Sequence, residues 1–210
     1  MLPQHGLRST SKRARSLATQ VLHPAIITPA MTHATKGDLE SGLDHVRAAP
    51  KDVGVLAMIV RRPTAGTRDV LDEGELNPLE GLAGDSWRHR HGAEPDPDTQ
   101  LNIMCVRSIA LIAGDRSRWA LAGDQLFIDF DLSKENLPPG TRLTIGAAVV
   151  EVSEEPHTGC GKFVSRFGIE AQKFVNSPIG RTLNLRGINA KVVQPGTIRV
   201  GDPVTKSAGR

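Results

Sequence analysis

Cys160 stands between Gly159 and Gly161 in the run EPHTGCGKF, residues 155–163, with His157 three positions before it and Lys162 two after. A thiolate, not a thiol, attacks sulfur or binds metal, and nearby cations favour it. Lys162, together with His157 when protonated, could supply that charge. The flanking glycines remove side chains that would shield the sulfur and let a ligand come close to the backbone. An inert cysteine in a tight turn stays open as the plain alternative. Cys105, inside the apolar run LNIMCV, reads as core.

Other chemistries are weaker fits to the same residues. HTGC with His89 and His91 of HRH could offer Cys and His ligands to zinc, but only one thiol is available and the paired short spacings of structural zinc sites are missing. A Cys–His hydrolase could use His157 as base, yet the local motif supplies no third group to orient it. Neither G-x-x-x-x-G-K-[ST] nor G-x-G-x-x-G occurs between a strand and a helix, so no nucleotide-binding loop can be argued.

These residues must be positioned by short strands. GVLAMIVRRP reads as a first strand closed by Pro63, and residues 64–100, rich in Gly, Pro and Asp, as a long functional loop. LNIMCV is a strand, after which Ser108 could cap a helix through IALIAGDRSRWALA. In QLFIDFDL, Leu126, Ile128, Phe130 and Leu132 alternate with Gln125, Phe127, Asp129 and Asp131, the pattern of a half-buried strand. PPGTRLTIG and AAVVEVS are two strands joined at Gly146. RFGIEAQKFVNSPIGRTLNL is helical with breaks at Gly168 and Pro178. GINAKVVQ, a Pro195-Gly196 turn and TIRVGD read as a closing hairpin. The pattern predicts a mainly β protein with a few helices (α+β), built as a small closed or partly closed barrel.

Composition narrows the partners. The chain has 210 residues and is 39% hydrophobic, enough for one core without disulfides or a structural metal. Two cysteines point to a reducing compartment, the cytoplasm by default. The pI near 9.1 comes from the N-terminus: residues 1–37 carry five basic and no acidic residues, leaving 21 basic against 23 acidic beyond. That balance, with 3% aromatic residues, argues against a nucleic-acid groove. The longest apolar run has eight residues, VGVLAMIV, too short to span a membrane. Residues 1–30 have the Arg- and Ser-rich, acid-poor make-up of an organellar transit peptide, though a plain extension, or a start at Met31, fits as well. The expected division is a basic, disordered extension over 1–46, a folded domain over 47–206 and a tail over 207–210.

Three ordered segments resemble the MOSC domain, the family named for the C-terminal domain of molybdenum cofactor sulfurase. They are GLAGDSWRHRHG (81–92), LSKENLPPGTRLTIGAAVVEVSEEPHTGCGKF (132–163) and RGINAKVVQPGTIRVGDPV (186–204). The resemblance implies a MOSC-type β-barrel of the pyruvate-kinase-like kind, with Cys160 at the place of the family cysteine. There it would carry sulfur as a persulfide or act as a ligand to molybdenum. It implies the molybdenum cofactor as ligand, with Lys162, Arg166 and Arg186 as candidates for its pterin phosphate. Asp85 and Asn136 are two further candidates, each of which could instead simply order its own loop or barrel corner. A cysteine desulfurase, which would bring its own pyridoxal phosphate, is the implied sulfur donor, and a molybdoenzyme or the pterin cofactor the acceptor. Two rival readings are a cofactor- or metal-binding module without turnover and a detoxification protein acting on N-hydroxylated compounds.

Overall fold

The structure is a computed structural model that describes residues 33–90 and 95–207. The start of the basic extension (1–32), His91 and the tail 208–210 lie outside the described residues. The strands are β1 (Val53–Arg61), β2 (Asp69–Leu71), β3 (Glu73–Asn77), β4 (Gly81–Leu82), β5 (Leu101–Cys105), β6 (Leu126–Asp129), β7 (Arg142–Ile145), β8 (Ala148–Val152), β9 (Ile188–Gln194), β10 (Gly196–Arg199) and β11 (Pro203–Ser207). The helices are α1 (Lys36–Ser41), α2 (Leu43–Arg47), α3 (Trp87–Arg90), α4 (Val106–Ala113), α5 (Gly161–Phe167), α6 (Ile169–Asn176) and α7 (Pro178–Thr182).

Seven strands close a barrel in the order β1-β6-β5-β9-β8-β7-β11, and β11 returns to β1. Closure works because β1 changes partner along one edge: Val53–Val55 pair with β11, and Ile59–Arg61 pair with β2. On its other edge a register shift between Leu56 and Met58 breaks the alternation against β6. Such a bulge re-aims side chains. Leu56 and Ile59 therefore both enter the barrel core, while Met58 and Val60 face the helices. Leu126, Ile128, Phe130 and Leu132 fill the barrel as the alternation around β6 predicts, but the strand is not half-buried: Gln125 and Phe127 on the opposite face are buried too, Phe127 against the helices.

A second core lies between the outer face of β1, β5 and β6 and the helices. Met104, Phe127, Ile109, Phe163, Phe167 and Leu185 are among its members. Each fully buried large apolar side chain contributes about 1.5–3 kcal/mol by leaving water. This layer fixes α5, whose first turn carries the residues after Cys160.

Several expectations change. Residues 36–46, assigned to the disordered extension, form α1 and α2, and their Leu39 and Val46 are buried in the helical core. A capping box at Thr35 and Asp38 starts α1. The stretch 64–100 holds β2, β3, β4 and α3 rather than one long loop. Its strands are only two to five residues long, and β3 pairs with the distant β10, so local periodicity could not reveal them. Ser108 does not cap α4; the helix begins at Val106 with Cys105 as its N-cap, and Ser108 is buried inside it. Gly114 at φ +67° ends α4, and a 3-10 turn over Arg116–Ala122 follows. The closing segments do not pair as a hairpin: β9 pairs with β5 and β8, whereas β10 joins β3 in a small separate sheet. The predicted breaks at Gly168 and Pro178 do separate α5, α6 and α7. Among the described residues, no helix is long and apolar enough to cross a membrane.

Candidate functional site

The chain leaves β8 at Val152 and reaches Cys160 through a loop tied down by side chains. Ser153 donates to the Asp98 carbonyl, and Asn189 to that of Glu155. Asn176 of α6 grips Gly159 twice, accepting from its N–H and donating to its carbonyl, both at 2.9 Å. A β-carbon on Gly159 would stand 2.9 Å from Val175 Cγ2, so close packing against α6 requires glycine there. A β-carbon on Gly161 would meet nothing within 4 Å. The two glycines thus serve different ends: one seats the loop, the other leaves the space beside the sulfur open.

Cys160 is exposed and forms the N-cap of α5, whereas Cys105 is buried. Partial burial pushes the Cys160 thiol up, but the N–H groups of Phe163 and Lys162, together with the Arg186 charge, outweigh it and bring the value below that of an ordinary cysteine. Burial drives the Cys105 thiol the other way.

Cys160 lines a cavity of about 430 Å³ together with Arg62, Arg68, Lys162, Arg166 and Arg186. His89 also lines it, and no Asp or Glu does among the described residues. Of the sequence candidates, Cys160, Lys162, Arg166 and Arg186 are therefore brought together. Arg186 is only 6% exposed. Its Nη1 donates to both oxygens of Asp124, its Nη2 to the Ala122 carbonyl at 3.0 Å, and its guanidinium lies 5.0 Å over the Phe163 ring. Its Nε is buried without a partner.

The other candidates stand elsewhere. Asp85 does not line the cavity; it is a buried clamp for Arg62, accepting from Nε and Nη2 at 2.9 Å each and from the Arg62 and Trp87 backbone N–H groups. Of the two roles open to it, ordering is the one its bonds make, and through Arg62 that order reaches the cavity wall. Asn136 is not at the cavity. It donates to the carbonyls of Lys51 and Asp131 and accepts from Lys206, pinning a barrel corner, so its polar groups are already committed within the fold.

His157 is not a cation beside Cys160. It lines a second cavity of about 260 Å³ with Lys134, Glu154, Arg181 and Asn184, and Arg186 lies in the wall of both. Burial first, then the charges of Arg186 and Arg62, hold the imidazole well below its ordinary value, so it is neutral at pH 7. Its Nδ1 is 3.4 Å from Asp124 Oδ1 but does not align as a hydrogen bond. The arrangement thus contains an acid near His157, yet His157 and Cys160 open onto different cavities, unlike a Cys–His hydrolase. Among the described residues, no three His, Cys, Asp or Glu side chains cluster as a metal site.

Arg62, Arg68 and Asp124 escaped the sequence reading. Arg62 belongs to the pair Arg61-Arg62 at a strand end, which looks like solvated charge. The signal that could have found it is the buried acid it needs, Asp85, 23 positions away.

The barrel is that of the MOSC domain: the sequence model of that domain matches residues 85–205, and the chain belongs to the MOSC domain family. Among solved structures, the YuaD protein of Bacillus subtilis is similar in fold, with a TM-score of 0.52 at 17% identity over 74% of this chain and 97% of that one. YiiM from Escherichia coli gives 0.48 at 23% identity, covering 73% of this chain and 70% of its own. No curated protein matches significantly.

Proposed function

We propose that this MOSC-domain protein is a sulfur carrier or sulfurtransferase in which Cys160 holds the transferred sulfur as a persulfide. The observation that carries the reading is an exposed thiol of lowered pKa in a cavity whose charged lining is wholly basic among the described residues. The Cys160 thiolate attacks the outer sulfur of a donor persulfide, such as that of a cysteine desulfurase. A new S–S bond forms, the donor's breaks, and the donor leaves as a thiolate. In the second step an acceptor nucleophile takes the outer sulfur and Cys160 departs as thiolate again. Arg186 favours the anion at both stages.

The residues suit an anionic cofactor as acceptor. Lys162, Arg166 and Arg186, the last with its unpartnered Nε–H, would hold the phosphate of the molybdenum cofactor. Bound molybdenum would supply a soft centre able to take sulfur or a thiolate ligand. The same wall supports a second reading, in which Cys160 ligates molybdenum without passing sulfur on.

Supplying labelled cysteine, a cysteine desulfurase and pyridoxal phosphate should leave dithiothreitol-releasable label on the protein. A protein that stays unlabelled while the desulfurase turns over contradicts the carrier. Molybdenum and pterin analysis after growth with molybdate checks the second reading, which requires both to co-purify in a Cys160-dependent way.

A further inference from the structure

The cavity that His157 lines carries charges of both signs, unlike the basic cavity at Cys160. Lys134 and Arg181 line it as cations, Glu154 and Glu155 as acids. Each pair has its own support. The Lys134 N–H donates to the Thr182 carbonyl at 3.0 Å, which sets it beside α7 and its Arg181. Glu154 and Glu155 lie on the loop after β8, which Ser153 ties to the Asp98 carbonyl at 2.6 Å and Asn189 holds by the Glu155 carbonyl at 3.1 Å.

None of these four side chains forms an ion pair among the described residues. Charges close by do pair: Lys191 on β9 bonds Asp98 at 3.1 Å and lies 3.7 Å from Glu151. The cavity thus keeps two cations and two acids apart on separate segments. Arg186, also in its wall, is already matched by Asp124, and His157 is neutral at pH 7. The charge left for a ligand sums to zero, which suits neither a simple anion nor a simple cation. The cavity has an apolar part as well, in the buried side chains of Leu137, Val152, Val175 and Ile188. Its volume of about 260 Å³ is below the roughly 300–1,000 Å³ of sites for drug-sized ligands, so the occupant is small.

We propose that this cavity binds a free α-amino acid with a compact apolar side chain. Lys134 and Arg181 hold its carboxylate, Glu154 and Glu155 its ammonium group, and the apolar part of the wall takes its side chain. A zwitterion satisfies both sets of charges at once and adds no net charge. A charge-assisted hydrogen bond at each end fixes which way it lies. The site does not depend on the sulfur-carrier reading of Cys160, since Arg186 alone among the described lining residues belongs to both cavities.

Isothermal titration calorimetry of the full chain with L-leucine tests the proposal, with L-leucinamide and N-acetyl-L-leucine as probes that each lack one charge. Leucine should bind, and each capped form should bind about tenfold more weakly, a readout that needs no variant to fold. Lys134→Gln and Glu154→Gln should each weaken leucine about threefold to fivefold, the scale of one exposed charge pair. Both positions are exposed, so the variants keep the fold. Their losses should be selective: Lys134→Gln leaves leucinamide binding unchanged, and Glu154→Gln leaves that of N-acetyl-L-leucine unchanged. Blocking Cys160 with iodoacetamide should not change the affinity for leucine. Leucine that does not bind, capped forms that bind as tightly, or losses that ignore the sign of the charge removed each overturn the proposal. Binding lost on blocking Cys160 but kept in Lys134→Gln assigns the amino acid to the other cavity and overturns it too. Sulfur loading of Cys160 is a separate measurement, so the carrier reading stands or falls apart from these results.

Discussion

Asp124 and Arg186 form a buried ion pair, with Arg186 Nη1 at 2.9 and 2.8 Å from the two carboxylate oxygens, and Arg186 lines both cavities. Asp124 is fully buried, and burial raises its carboxyl above the ordinary carboxylate value, with Arg186 and then Arg62 pulling against that shift. With the guanidinium bonded to both oxygens, the ionised pair is the favoured state.

Removing one member of such a pair leaves the other charge buried. Asp124→Ala should therefore cost about 3–5 kcal/mol in denaturant unfolding. Asp44→Ala, which breaks an exposed pair with Arg47, should cost at most about 0.5 kcal/mol. Similar losses for the two would contradict the role given to Asp124.

His157 makes stability depend on pH. Its folded value lies well below 6.5, so between that value and 6.5 the unfolded chain holds a proton that the folded chain does not. Stability therefore rises with pH through that window and falls as pH drops below about 6.5, by at most about 1.4 kcal/mol per pH unit. His157→Gln should flatten this slope in unfolding curves taken from pH 7 to 5. An unchanged slope would place the pH dependence on other groups.

The two cysteines should separate by labelling. Iodoacetamide should modify Cys160 with a pH midpoint below that of an ordinary cysteine and leave Cys105 untouched until the protein unfolds. Arg186→Met should move that midpoint upward, and Lys162→Ala should move it less, because it is the Lys162 backbone N–H rather than its side chain that faces the sulfur. Protection of Cys105 reports that each variant is still folded. A larger shift for Lys162→Ala would restore the ammonium group as the main influence.

Asn136 supplies a contrast. Asn136→Ala removes bonds to Lys51, Asp131 and Lys206 and should lower stability by about 1–3 kcal/mol. Sulfur loading of Cys160 should stay at the wild-type level. A loading defect in a folded variant would return Asn136 to the site.

What the sequence made legible follows from the range of the interactions. The inward-facing residues around β6 and the breaks at Gly168 and Pro178 are local, and both appear as expected. Cys160, Lys162 and Arg166 sit on one loop and the helix it starts, so their neighbourhood is short-range too. Arg186 was visible through the family resemblance, but its partner Asp124 is 62 residues away and meets it only once the barrel is closed. His157 misled for a related reason: three residues from Cys160 in sequence, it turns into the other cavity, where burial keeps it neutral.

The central claim is that Cys160 carries sulfur, and intact mass spectrometry tests it most directly. After incubation with a cysteine desulfurase, cysteine and pyridoxal phosphate, the wild type and Cys105→Ser should each gain one sulfur atom that dithiothreitol removes, and Cys160→Ser should gain none. A wild-type protein that stays at its original mass while the desulfurase turns over, or a Cys160→Ser protein that gains sulfur, would contradict the account.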